Sequence, residues 1–381
     1  MGRKSSKTSL ILALAAMSLL ITDSKTALTG TAQGVELCIR TVIPSLFPFF
    51  VISVLMTSTL LAHPIPFLKS LGRFCGIPAG SEGVLLLGLI GGYPVGAQAA
   101  AQAWRAGSIS EKDARRMLGF CNNCGPSFLF GITAVLFRSM STAWILWGIH
   151  LTSALLTGML LPGKSKNHIE MPAKTAPIGL AEAVRSGIRN LSSVCGWILL
   201  ARCVSAYLEK WVLTDVSILF RVCALSILEL TNGCIALHQI ESEYLRFLTV
   251  STFLAFGGIC VALQTVSAVG SLGTGWYFQG KCMQVSISIV LADIFGLFLY
   301  DDARLHPAFF IFLLISAVIV MQKRKKDIAF SGKLMYNQCQ KIDSKEPLPC
   351  FSDAKCPNPA PTVLTEPKFP RDRSFASKKV S

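Results

Sequence analysis

Charged residues are scarce in this chain. They make up 15% of its 381 residues, and acids are the rarer kind, 21 against 36 Lys and Arg. A soluble domain carries about 25% charged residues, so most of this sequence does not belong to one. Histidines number five, isolated at positions 63, 150, 168, 238 and 306. No Ser-His-Asp set, H-E-x-x-H helix, Walker A loop or dinucleotide fingerprint appears. Without a nucleophile–base pair, a phosphate cradle or a ligand cluster, the expected protein is not an enzyme and takes no cofactor or resident metal. The thirteen cysteines do not fill that gap. Most lie inside apolar runs, where a small polarizable residue suits helix packing. The C-x-x-C of Cys121 and Cys124 offers only two ligands.

What is abundant is apolar sequence. Hydrophobic residues make up 52% of the chain. They fall in runs at 8–22, 42–61, 83–104, 120–137, 142–161, 186–208, 216–240, 247–270, 283–300 and 308–321. A bilayer core of ~30 Å needs ~20 helical residues. The expectation is an all-α polytopic membrane protein with roughly 8–10 membrane segments, held in lipid. The first run follows a basic stretch but no clear A-x-A site follows it, so it is read as an uncleaved span. Net charge is +15, and residues 322–381 hold 13 Lys/Arg against 6 Asp/Glu. Much of the excess therefore sits in a polar, proline-rich tail of disordered composition, which suits a cytoplasmic tail beside anionic lipid and argues against nucleic acid as a partner.

Five regions follow: an N-terminal span (1–33), a first repeat (34–161), a polar linker (162–183), a second repeat with a last span (184–321), and the basic tail (322–381). Lys/Arg bias sets orientation. If 83–104 and 216–240 each turn back within the membrane, six basic segments fall inside, Lys281 among them. Four balanced ones, 23–40 among them, then fall outside. Both termini are cytoplasmic, and the halves are inverted relative to each other, the pattern of secondary transporters. The hairpins were placed to satisfy this rule.

Three interrupted stretches carry the chemistry. "GLIGGYPVGAQ" puts Gly91, Gly92, Tyr93, Pro94 and Gly96 inside an apolar run. Pro94 removes a donor and disfavours helix at Tyr93, while the glycines permit a tight turn. The alternative is a kinked helix packed through glycine. "CNNCGP" sets amides Asn122 and Asn123 before Gly125 and Pro126, with Pro126 suited to the first turn of the next helix. Its free N–H groups and dipole would favour a polar or anionic solute; the alternative is capping at the membrane surface. "ILELTNGC" holds Glu229, Thr231, Asn232 and Gly233. An intramembrane carboxylate is a binding or coupling residue by default, or else a partner of Arg202 or Arg221. Asp293 stands between a coupling-ion or proton site and a helix contact. "FGGIC" (256–260) reads as close packing. Ser110 is expected to cap a short helix carrying Glu111 and Asp113, with Arg115 and Arg116 near the membrane surface.

"PSLFPFF", "GLIGGYPVGAQ", "NNCGPSFLFG" and "LELTNG", in this order, resemble the YlbJ-type sporulation integral membrane proteins. The resemblance covers roughly 34–321. It implies two Gate-type nucleoside-recognition domains and a multi-pass transporter of a bacterial cell membrane, linked to movement of dipicolinate into the spore. A nucleoside-type carrier and a non-transporting sporulation scaffold remain alternatives. Partners would be the solute and lipid, with a homo-oligomer or a sporulation membrane partner left open.

Overall fold

A peptide group inside hydrocarbon must find its hydrogen bond within the protein, and a helix supplies one for nearly every residue. The computed structural model, which describes residues 2–62, 65–164 and 178–301, follows that rule: its described elements are helices. The expected last span and tail, and most of the linker, lie outside the described residues.

The helices are α1 (Gly2–Thr22), α2 (Ser24–Leu37), α3 (Ile43–Ala62), α4 (Lys69–Cys75), α5 (Glu82–Ile90), α6 (Val95–Arg105), α7 (Glu111–Met117) and α8 (Pro126–Phe137). They continue as α9 (Met140–Leu160), α10 (Leu180–Trp211), α11 (Ile218–Leu228), α12 (Leu230–Ala236), α13 (Glu243–Phe256), α14 (Gly258–Val269) and α15 (Gly275–Leu299). Among the described residues, five stretches are long and apolar enough to cross a membrane: Ser24–Thr57, Met140–Leu160, Leu180–Trp211, Glu243–Val269 and Gly275–Leu299. Shorter apolar helices occupy Leu10–Thr22, Pro126–Phe137 and Ile218–Leu228. The chain is a polytopic all-α membrane protein.

One order of elements occurs twice. A long helix (α3, then α10) precedes a broken pair (α5–α6, then α11–α12). A second interruption follows (before α8, then between α13 and α14), and a long helix closes the set (α9, then α15).

Two segments used for the charge pattern are not loops. Residues 24–37 are helix α2, joined to α3 through a single π-helical turn, Cys38–Val42. Its Gly30 and Gly34 lie one turn apart and face α10. A Cβ added at Gly30 would stand 2.7 Å from the Ala206 Cβ. This small-residue contact buries one face, Ala27, Gly30 and Gly34, of a stretch whose modest hydropathy reads as surface. Lys281 sits well inside α15 and is 2% exposed. The charge pattern thus loses one basic and one balanced segment. Arg116, expected near the membrane surface, is also buried. Its guanidinium donates to the carbonyls of Cys75 (2.7 Å), Gly76 (3.1 Å), Gly158 (2.5 Å), Leu161 (3.2 Å) and Pro162 (3.1 Å), which satisfy it more fully than the surface would. Ser110 does cap α7, accepting from the Asp113 N–H at 3.1 Å.

Candidate functional site

Four interruptions of helix meet at one place. The first, Gly91–Pro94, separates α5 from α6. Gly92 has φ +74°, a conformation glycine adopts freely, and the Tyr93–Pro94 peptide is cis. The two half-helices fold against each other where Gly88 and Gly96 flank the Cys121 carbonyl, and a Cβ at Gly96 would overlap that oxygen. The pair therefore turns back on itself, as the glycines and Pro94 suggested. The second interruption is Cys121–Gly125. Gly125 precedes α8 and Pro126 takes the first helical position. The third is Glu229, a single extended residue (φ −147°, ψ 123°) between α11 and α12. The fourth is Gly257–Gly258, with φ +84° and +81° in succession.

The interruptions touch. A Cβ on Gly92 would lie 3.3 Å from the Gly125 Cα, so the first two meet backbone to backbone. The Tyr93 hydroxyl donates to the Leu254 carbonyl at 2.8 Å, and a Cβ on Gly257 would meet the Tyr93 ring at 3.3 Å. One on Gly258 would lie 3.2 Å from the Ser226 carbonyl and 3.4 Å from the Leu230 nitrogen. "FGGIC" is thus a break as well as a packing contact. Its two adjacent glycines were the signal, read too narrowly.

Between them lies a cavity of ≈ 50 Å³, lined by Gly92, Tyr93, Cys124, Gly125, Phe128, Glu229, Thr231 and Gln264, with apolar side chains of α3 and α10 completing the wall. It has room for a few water molecules; a larger solute requires these elements to part. Two roomier cavities, each with charged side chains in its wall, lie elsewhere. One of ≈ 380 Å³ includes Gln33, Arg202, Glu209, Arg221 and Asn232, and the other, ≈ 270 Å³, includes Gln98, Gln102, Arg105, Arg189 and Asn190.

Of the residues singled out in the sequence, Gly92, Tyr93, Gly125, Glu229 and Thr231 line the central cavity. Gly91 ends α5, its N–H donating to the Leu87 carbonyl at 2.8 Å, while Pro94 and Gly96 shape the start of α6. Gly233 packs on Ser226, where a Cβ would overlap that residue. Asn232 faces the ≈ 380 Å³ cavity, with its Nδ2 unpartnered among the described residues.

Asn122 and Asn123 are fully buried behind the cavity rather than at the membrane surface. The Asn123 amide is committed. It donates to the carbonyls of Gly88 (2.9 Å) and Phe120 (2.7 Å) and accepts from Gln284 Nε2 (2.9 Å). Asn122 donates to Thr265 Oγ1 at 2.8 Å, and its Oδ1 has no partner among the described residues. Gln284 also accepts from Lys281 Nζ at 2.8 Å. Asn123 is therefore a pin between the first broken pair and α15.

Glu229 accepts from the N–H groups of Thr231 (3.0 Å) and Asn232 (2.7 Å), opening α12. A carboxylate suits the positive end of a helix. The expected alternative, a pair with Arg202 or Arg221, does not form. Arg202 binds Glu209 at 3.0 Å and Gln33 at 2.6 Å, and Arg221 donates to the carbonyls of Leu213 and Thr214. Asp293 is buried against the Tyr244 hydroxyl and is not among the cavity residues. His150, isolated in sequence, accepts from the Cys124 N–H at 3.1 Å. Among the described residues no three His, Cys, Asp or Glu are placed to hold a metal.

Sequence reasoning missed Gln264 and Lys281. Gln264 is an amide in an apolar run. Lys281, Gln284 and Ser288 recur at helical spacing, so they share one face of α15. Starting that helix at Met283 hid the stripe.

The comparisons with known proteins agree with the overall architecture. The sporulation integral membrane protein YlbJ of Bacillus subtilis (strain 168) is 27% identical over 341 residues, covering 79% of this chain and 78% of that protein. This chain is a relative of a sporulation membrane protein. Neither a family model nor a solved structure matches it.

Proposed function

We propose that the protein is a secondary transporter or facilitator of a small polar or anionic solute, with the central cavity as its solute site. One observation carries the reading: three helix interruptions, drawn from both halves, line that cavity, and the fourth, Gly257–Gly258, packs against its Tyr93 wall. Irregular backbone at membrane depth is tolerated where it is buried in protein or lines an aqueous path, and paired broken helices mark the binding site in many transporters. In this reading the halves are inverted Gate-type repeats with cytoplasmic termini. Dipicolinate is the substrate that the resemblance in sequence motifs implies, and Glu229 or Asp293 would bind a coupling ion or proton. The Gln264 amide at the site also suits a neutral nucleoside, which makes uridine the second candidate.

The test is uptake into proteoliposomes, with labelled dipicolinate and labelled uridine in parallel. Because Asn123 is pinned to three partners, its alanine variant would mix folding with binding. Gln264→Leu and Thr231→Val change cavity-facing side chains instead. Uptake by the wild type that falls at least about tenfold in Gln264→Leu, the scale of one lost hydrogen bond, supports the cavity. Uridine uptake alone replaces the substrate. No uptake from folded protein overturns transport and favours a scaffold.

A further inference from the structure

Lys281 is a cation without a counter-ion. It is 2% exposed and makes no ion pair with any described residue. Of its three donors, one is used among the described residues, by Gln284 Oε1 at 2.8 Å. Its ammonium lies 5.5 Å from the centroid of the Tyr93 ring and 6.0 Å from that of Tyr277, within cation–π range. An amide and two ring faces are weak compensation for an ammonium taken out of water, which ordinarily pairs with a carboxylate. Ionisable groups at membrane depth are expensive and mark solute or ion paths. The Tyr93 ring belongs to two neighbourhoods, lining the cavity and carrying the Lys281 ammonium. A solute that displaced this ring would meet the two unused N–H donors, with the unpartnered Asn122 Oδ1 in the same buried segment as Asn123.

We propose that Lys281 is the specificity-determining counter-charge of the solute site, binding a carboxylate of a small organic acid that enters past Tyr93. This rests on the reading of the central cavity as the solute site and adds to it the sign of the solute's charge. The Tyr277 ring, which stays beside the ammonium when Tyr93 moves, favours a flat acid.

The experiment measures binding to purified wild type, Lys281→Met and Lys281→Arg. The probes are dipicolinate, its neutral pyridine-2,6-dicarboxamide analogue and uridine. The wild type should bind dipicolinate and gain thermal stability from it, with little response to the diamide. Lys281→Met should lose at least about a hundredfold in dipicolinate affinity while melting no lower than the wild type, since it removes a buried charge that has no counter-ion among the described residues. Lys281→Arg should keep most of the affinity. Dipicolinate binding that is equal in Lys281→Met overturns the role of Lys281 and leaves the cavity as the solute site. So does a wild type that binds uridine or the diamide and no dipicolinate. Absence of binding by all three probes to folded wild type overturns both readings. Should Lys281→Met fail to fold, the wild-type contrast between acid and diamide still decides the sign of the charge.

Discussion

The break between α5 and α6 carries no charged or amide side chain, whereas the break between α11 and α12 is itself a glutamate. Both pairs fold back tightly, through Gly88 and Gly96 in the first and Gly233 on Ser226 in the second. They differ in how their exposed backbone is satisfied. The first relies on a residue 35 positions on, since Asn123 supplies the donor for the Gly88 carbonyl. The second is satisfied from within, since Glu229 takes the N–H groups of the two residues Thr231 and Asn232. The first break thus depends on tertiary structure, while the second can form locally.

Substitutions at six positions sharpen or break this contrast. Gly96→Ala should have the largest effect. The added methyl meets only backbone, which cannot step aside. Overpacking of this kind costs about 1–3 kcal/mol and sometimes more, and the upper end is expected, read as loss of monodisperse protein on size exclusion. A variant that behaves as wild type would mean the pair is looser than described. Next come the polar anchors. Asn123→Ala and Glu229→Ala should each cost about 1–3 kcal/mol for the buried groups left unpaired, measured by thermal unfolding in detergent. The conservative exchanges separate the two breaks. Glu229→Gln keeps an acceptor for α12 and should recover part of the loss. Asn123→Asp cannot donate to two carbonyls and should recover none. Equal recovery at both sites would remove the distinction between local and tertiary capping.

Tyr93→Phe should cost less, about 0.5–1.5 kcal/mol, because it removes the one hydrogen bond to the Leu254 carbonyl. The smallest effect belongs to Gly131→Ala and Gly148→Ala, where an added Cβ meets nothing within 4 Å. A change within about 0.5 kcal/mol of wild type is expected there. A larger one would show that glycine matters outside the breaks.

The helical membrane class was legible because hydropathy and the shortage of charge act over long windows. The breaks at Gly91–Pro94 and Cys121–Pro126 were legible because glycine and proline have local backbone consequences. What escaped the sequence were relations set by packing. Residues 24–37 read as a balanced loop because the Gly30–Gly34 contact with α10 is visible only when α10 is in place. Lys281 read as a basic loop because its burial depends on Tyr93 and Tyr277 from distant segments. The pair of Arg202 with Glu209 excluded it as a partner for Glu229, and only the course of α10 decides that. Asn123 looked like a ligand for solute, and the structure spends its whole amide on protein.

Arg116 has a consequence for how the chain is made. Its five carbonyl partners come from two places, Cys75 and Gly76 upstream and Gly158 to Pro162 downstream. The guanidinium cannot settle in its buried position until the end of α9 has been synthesised and delivered to the bilayer. A nascent chain stopped before residue 158 would hold a buried cation with less than half of its acceptors. The first half should therefore lock as a unit late in its own synthesis, with chains shorter than that length open to quality-control proteases.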